Sequence, residues 1–184
     1  MFVAIVGGAG SGKSTLARLL VKKKGFEETV SYTTRPKRKG EEEGKDYYFL
    51  KSKNEFLKLV GFGEVAEYTE YNSNFYGTPS KYIRDMEKNY VSVVTPSGLR
   101  RLREFSKREG IFVKSIYLDV DEETRAVACL ARGTKLEETY NRILIDRGLL
   151  EGVENDVSHR IANKNMVLSP EEVLFECCRK LGIN

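Results

Sequence analysis

The segment Gly7-Gly8-Ala9-Gly10-Ser11-Gly12-Lys13-Ser14-Thr15 holds the most specific chemistry in this chain. Its spacing, Gly7-x-x-x-x-Gly12-Lys13-Ser14, is that of a loop built to cradle polyphosphate. Glycines let the backbone turn tightly and aim its N–H groups at phosphate oxygens. A helix opening at Lys13 would add the positive end of its dipole. The Lys13 ammonium would reach the β- and γ-phosphates, and the Ser14 hydroxyl would serve as a ligand to Mg²⁺. An ordinary glycine-rich turn is the alternative, and correct spacing with a strand before and a helix after argues against it. All nine residues are therefore expected to contact ATP, with Lys13 also catalytic and Ser14 also the metal ligand.

A second group could bind a second phosphate. Arg35 and Arg38 flank Pro36, and Tyr47 follows shortly after. Two guanidinium forks and a phenol hydroxyl suit a phosphate dianion. Tyr76-Gly77-Thr78 offers another phenol and another hydroxyl. Taken alone, Arg-Pro-Lys-Arg-Lys reads more readily as a solvated basic loop.

The elements that must position these residues can be read from periodicity. Phe2 to Val6 is a short apolar run rich in β-branched residues, as in a strand buried on both faces of a parallel sheet. Helical spacing follows from Lys13 to about Lys23. Tyr90 to Val94 and Ile111 to Val120 read as further strands, with a helix over Gly98 to Glu109 between them. Tyr47 to Leu50 and Glu64 to Tyr71 are shorter strand-like pieces, and a capped helix begins at Ser52-x-x-Glu55. Ser169-Pro170-Glu171-Glu172 is a helix start with a hydroxyl cap, proline at the first position and acids in the first turn; that helix is expected to run to about Leu181. Alternating strands and helices imply an α/β fold of P-loop type, three layers about a parallel sheet. The expectation is a single domain over residues 1–184, with a core formed by 1–30, 89–122 and 159–184. A small mixed insertion at 31–88 would bind the acceptor, and a helical lid with its following helix would span 123–158.

Composition limits the alternatives. The chain has 184 residues, 40% hydrophobic and 32% charged, enough for one well-buried core. A net charge of +4 suits small polyanions and is too weak to argue for nucleic acid. The three cysteines form neither a disulfide framework nor a zinc pattern, and read as reduced, half-buried helix residues. No apolar run approaches the roughly 18 residues of a membrane span, and the apolar start breaks at once into glycines rather than forming a signal peptide. A cytoplasmic protein with no membrane partner is the expectation.

The segment Ser31 to Phe49 (SYTTRPKRKGEEEGKDYYF), with EVAEYTEYNSNFYGTP at 64–79, ARGT at 131–134 and the phosphate loop, resembles the guanylate kinase family. The resemblance runs in order over most of the chain and fades after about residue 148. It implies transfer of the ATP γ-phosphoryl group to GMP or dGMP, with Mg²⁺ accompanying ATP and the two nucleotides as partners. It further implies that Arg35, Arg38, Tyr47 and Tyr76 hold the GMP phosphate, while Ser31, Glu64 and Thr78 read the guanine. A carboxylate suits guanine because N1–H and the N2 amine are adjacent donors, a pair adenine lacks. Glu67 is a rival for that carboxylate, since the stretch from Glu64 to Tyr76 looks about three residues longer than the family pattern. Arg132 matches a lid arginine. A second lid arginine falls nearest Arg142 or Arg147, the latter set among Leu136, Tyr140, Ile143 and Leu144 on an expected apolar face. Asn163 resembles an asparagine near the adenine and reads equally as a turn residue. His159 is expected to be structural. Where the family usually carries two aspartates, this chain has Val93 and Thr95, which opens the choice of acceptor. A phosphotransferase with another phosphorylated acceptor, and a non-catalytic guanylate-kinase-like binding module, are the competing readings.

Overall fold

The computed structural model describes residues 1–71 and 73–183, so Asn72 of the 64–79 motif lies outside the described residues. Strand β1 (Phe2–Gly7) sets the layering. Its side chains alternate, with Val3 and Ile5 in one buried cluster and Phe2, Ala4 and Val6 in another. A strand buried on both faces belongs in a parallel sheet covered on each side.

The chain then runs through α1 (Lys13–Lys24), β2 (Glu27–Glu28), β3 (Ser31–Thr33), β4 (Tyr47–Phe49) and α2 (Lys53–Gly61). It continues through β5 (Val65–Tyr71), β6 (Asn74–Pro79), α3 (Lys81–Arg84), β7 (Tyr90–Val93) and α4 (Pro96–Glu109). The last elements are β8 (Val113–Asp119), α5 (Glu122–Ala131), α6 (Leu136–Leu150), β9 (His159–Ala162) and α7 (Pro170–Leu181). Five strands form a parallel sheet in the order β2-β7-β1-β8-β9. On one face Val3 and Ile5 pack with Leu16 and Leu20 of α1 and Leu174, Cys177 and Leu181 of α7. On the other, Phe2, Ala4 and Val6 pack with Leu99, Leu102 and Phe105 of α4. The expected three-layer α/β architecture is thus present.

Strand order reverses beside β1, which pairs with β7 on one side and β8 on the other. Ligands of open α/β sheets bind at such a switch, outside the carboxyl ends of the strands. The Gly7–Thr15 loop leaves β1 at that point. A second sheet, ordered β4-β3-β6-β5, mixes parallel β3–β4 pairing with antiparallel β3–β6 and β5–β6 pairing.

Four expectations are corrected. Helix α4 begins at Pro96 rather than Gly98, because the Thr95 hydroxyl accepts from the Gly98 N–H and proline occupies the first turn. The third core strand covers Val113–Asp119 rather than 111–120, its start delayed by the α4 exit, where Ile111 N–H donates to Ser106 O. Cys129, Cys177 and Cys178 are buried, not half-buried, and are free thiols. The expected apolar face of α6 is mostly uncovered: Leu136, Tyr140 and Leu144 are exposed, and Ile143 and Thr139 are the buried positions. Helical period identifies a stripe but not whether anything packs on it.

The start of α7 is as expected. Ser169 and Glu172 form a reciprocal capping box, with Pro170 following the cap. Replacing a hydroxyl cap removes a partner from an otherwise orphaned N–H. Ser169→Ala is therefore expected to cost about 1 kcal/mol and lower the thermal midpoint by about 2–4 °C, read by circular dichroism melting.

Candidate active site

The loop after β1 turns through left-handed backbone at Gly10 (φ 84°) and Gly12 (φ 91°), conformations that favour glycine. Gly10 has a second constraint, because a Cβ there would strike the backbone carbonyl of Arg125. The turn delivers Lys13 to the first position of α1, where its Nζ donates to the Gly8 carbonyl at 2.7 Å. Burial pulls the Lys13 ammonium down to about 8, with the Asp146 carboxylate opposing that and Arg125 and Arg132 reinforcing it. Ser14 is exposed at the start of the same helix, whereas the Ser11 hydroxyl is buried without a hydrogen-bond partner.

A cavity of 440 Å³ opens beside the loop, lined by Gly10, Gly12, Thr15, Arg132, Asn163 and Pro170, among others. Arg132 is exposed on its rim, and its Nε donates to the Ala128 carbonyl at 3.0 Å. Asn163 spends both ends of its amide on Leu168, donating to its carbonyl at 3.2 Å and accepting from its N–H at 2.8 Å. It thereby shapes the cavity wall. Arg142 and Arg147 stand away from the loop in surface ion pairs, with Glu138 and Glu122 respectively, each at 2.6 Å.

The second sheet assembles the other group. Arg35 makes a two-pronged pair with Glu41 (2.6 and 3.1 Å), and its guanidinium lies over the Tyr47 ring at 5.4 Å. The Tyr47 and Tyr76 rings stand 6.0 Å apart, edge to face. Burial pushes the Tyr47 phenol up. Arg38 lies on the exposed turn, its backbone N–H donating to Glu41 at 2.7 Å. Pairing of β3 with β6 sets Tyr32 across from Gly77, which brings Ser31 towards Thr78.

Glu64 and Glu67 are placed differently. Glu64 is exposed at the entrance to β5. Glu67 is buried, paired in register with Thr78, and accepts from the Thr78 hydroxyl at 2.6 Å. Burial raises its carboxyl above the ordinary glutamate range, with the bonds to Thr78 and the charge of Arg101 pulling it back. The carboxylate lies against α4, where a Cβ on Gly98 would stand 2.5 Å from its Oε2. Val93 and Thr95 sit at the end of β7, and the Thr95 hydroxyl is already committed to the Gly98 N–H at 3.0 Å.

Two residues at the loop were not singled out from sequence. Arg125 of α5 is buried, and its Nη1 donates to Asp146 of α6 at 2.8 Å. The same Asp146 oxygen accepts the Ala9 N–H at 2.6 Å. A sequence signal existed for Arg125, since Arg125, Cys129 and Arg132 share one helical face. Asp146 had none beyond being an acid on a charged helix.

No cluster of three or more metal-ligating side chains occurs among the described residues. Mg²⁺ needs no such cluster when it arrives with a nucleotide, since it keeps several waters and takes phosphate oxygens. The Ser14 hydroxyl at the loop's exit fits that role.

A glycine-turned loop on the central strand, with a partly buried lysine and an exposed serine at the helix start, has the geometry of a P-loop. A family model described as guanylate kinase matches residues 2–142. The chain belongs to the guanylate kinase family. It is 35% identical over 177 residues to the guanylate kinase of Lactococcus lactis subsp. lactis, covering 94% of this chain and 84% of that protein. With the guanylate kinase of Anaplasma phagocytophilum it shares 30% identity over 195 residues, covering 95% and 88% respectively. The crystal structure of the guanylate kinase from that organism superposes with a TM-score of 0.69 at 27% identity, covering 99% of this chain and 84% of that one.

Two outcomes are expected from the buried charges. A carboxyl raised in the folded state binds its proton more tightly there than when unfolded, so stability falls as pH rises through the raised value. Glu67→Gln removes that penalty and should stabilise the protein by about 1 kcal/mol at neutral pH, a gain of about 2–4 °C. Melts at pH 7.5 and pH 4.5 check this, the gain shrinking at the lower pH. Nucleotide phosphate should restore the proton to Lys13, so ADP binding near pH 8 is expected to take up about half a proton. Calorimetry in buffers of different ionisation enthalpy reads the uptake, and Lys13→Met should remove it.

Proposed function

We propose that this chain catalyses ATP + GMP ⇌ ADP + GDP, accepting dGMP as well, by direct in-line transfer without a covalent intermediate. The observation that carries the reading is the buried Glu67 carboxylate bonded to Thr78. A carboxylate without a bonded cation is costly to bury, and guanine's adjacent N1–H and N2 donors would satisfy it. The Thr78 and Ser31 hydroxyls would complete the base contacts, and Glu67 would take the part first considered for Glu64. Arg35, Tyr47 and Tyr76 would hold the acceptor phosphate, Arg38 joining from its turn; Glu41 would then share the Arg35 fork with it.

On the donor side, the Gly7–Thr15 loop would hold the ATP phosphates and the Lys13 ammonium would balance the charge that builds on the migrating group. The adenine would enter the cavity beside Arg132 and Asn163. Ser14 would hold Mg²⁺, which would offset the negative charge of the donor phosphates. Residues 31–88 would act as the acceptor-binding unit and 123–158 as the lid that excludes water. No described helix is long and apolar enough to cross a membrane.

Val93 and Thr95 favour one competing reading, an acceptor other than GMP, because neither supplies a carboxylate near the base site. ADP production with Mg-ATP against GMP, dGMP, AMP, CMP and UMP separates the readings. Turnover is expected with GMP and dGMP, and at least about 100-fold less with the others, whose bases lack guanine's adjacent pair of donors for Glu67. Turnover with a non-guanine base would sink the assignment, and GMP binding without any turnover would point to a binding module. Lys13→Ala should abolish transfer and leave GMP affinity within about twofold, since that residue lies on the donor side.

A further inference from the structure

We propose that Arg125 is a phosphate-contacting arginine of this enzyme, held on the P-loop by Asp146, whose carboxylate the nucleotide phosphate displaces. The proposal rests on the reading of the chain as an ATP-dependent phosphotransferase.

The donors around the Asp146 carboxylate are those a phosphate oxygen would seek. One carboxylate oxygen accepts from the Ala9 N–H at 2.6 Å and from Arg125 Nη1 at 2.8 Å. The Lys13 ammonium feels Asp146 more strongly than any other charge. An aspartate oxygen and a phosphate oxygen compete for the same N–H and the same guanidinium, so they exclude one another there. A buried pair serving only the fold would not need a backbone donor from the nucleotide loop.

Arg125 does not depend on Asp146 for its place. Its Nε donates to the Val120 carbonyl at 3.2 Å and its Nη1 approaches the Ala9 carbonyl at 3.4 Å. Its guanidinium lies so close to Gly8 that a Cβ there would overlap it. The side chain is only 3% exposed, so its charge acts with little screening by water. Asp146 is the less enclosed partner, its side chain 20% exposed against 3% for Arg125. It sits on α6, where Thr139 and Ile143 are the buried residues, and it lies beyond the 2–142 span of the family match. Arg142 and Arg147 are less suited to the role, since both are exposed and paired on the surface, where such pairs hold a side chain weakly.

The test uses full-length protein in three forms: wild type, Asp146→Asn, and Arg125→Met with Asp146→Asn. The double variant leaves no unpaired charge in the contact, and thermal melts establish that each form folds. Calorimetric ADP titration comes first and needs no acceptor, so it decides the displacement even if no monophosphate is turned over. Asp146→Asn is expected to bind ADP about tenfold more tightly, having lost the competing charge. Adding Arg125→Met should then weaken ATP binding about tenfold more than ADP binding. It should also lower kcat about 100-fold relative to Asp146→Asn, with KM for the acceptor little changed. Unchanged or weaker ADP binding by Asp146→Asn would overturn the displacement, as would be expected of a metal ligand or a structural pair. Equal ATP preference in the double and single variants would overturn the role of Arg125.

Discussion

The Lys13 ammonium, partly buried at the mouth of the loop after β1, gives up hydration that the Gly8 carbonyl replaces only in part. Much of the architecture follows from keeping it there. A central strand buried on both faces fixes where the loop starts, and left-handed turns at Gly10 and Gly12 bring the lysine back over it. Helix α5 closes the other side with its backbone at Arg125, so close to Gly10 that no side chain would fit between them. The acceptor side repeats the theme with opposite sign. Glu67 is buried in the second sheet, braced by Thr78 and by the N-terminal turn of α4. The molecule thus carries desolvated positive charge where phosphate would sit and a desolvated carboxylate where a base edge would sit.

That arrangement costs stability and gains preorganisation. Charges held in low dielectric interact more strongly with a ligand than the same groups in water, and they need no rearrangement when it arrives. Internal partners limit the cost: Glu41 on the Arg35 fork, and Asp146 across Arg125 and Ala9. Both are carboxylates placed on groups that would otherwise meet phosphate. Exposed ion pairs such as Arg142–Glu138 belong to a different class, too solvated to fix a side chain in place.

The parts legible in the sequence were those written in contiguous residues. The loop Gly7–Thr15 needs no tertiary information, because its spacing and flanks define it. The same holds for the β1 run and the Ser169–Glu172 capping box. That Glu67 is buried and Glu64 exposed depends on the register of β5 against β6, where the pairing is irregular between Val65 and Glu67. A one-residue shift in a strand exchanges buried for exposed, so spacing alone could not decide. The Arg125–Asp146 contact joins two helices across 21 positions and a third segment at Ala9, a coincidence no local pattern encodes. The apolar stripe of α6 was legible as a stripe, but its exposure was not, because periodicity does not say what packs against it.

The central claim is that a buried carboxylate selects the acceptor through guanine's paired donors. GMP and IMP differ at the 2-amino group alone, which makes their comparison the most direct measurement. With Mg-ATP as donor, kcat/KM for GMP is expected to exceed that for IMP by about 100-fold, because IMP offers Glu67 one base donor where GMP offers two. Comparable values for the two would contradict the account, whatever the rate with GMP.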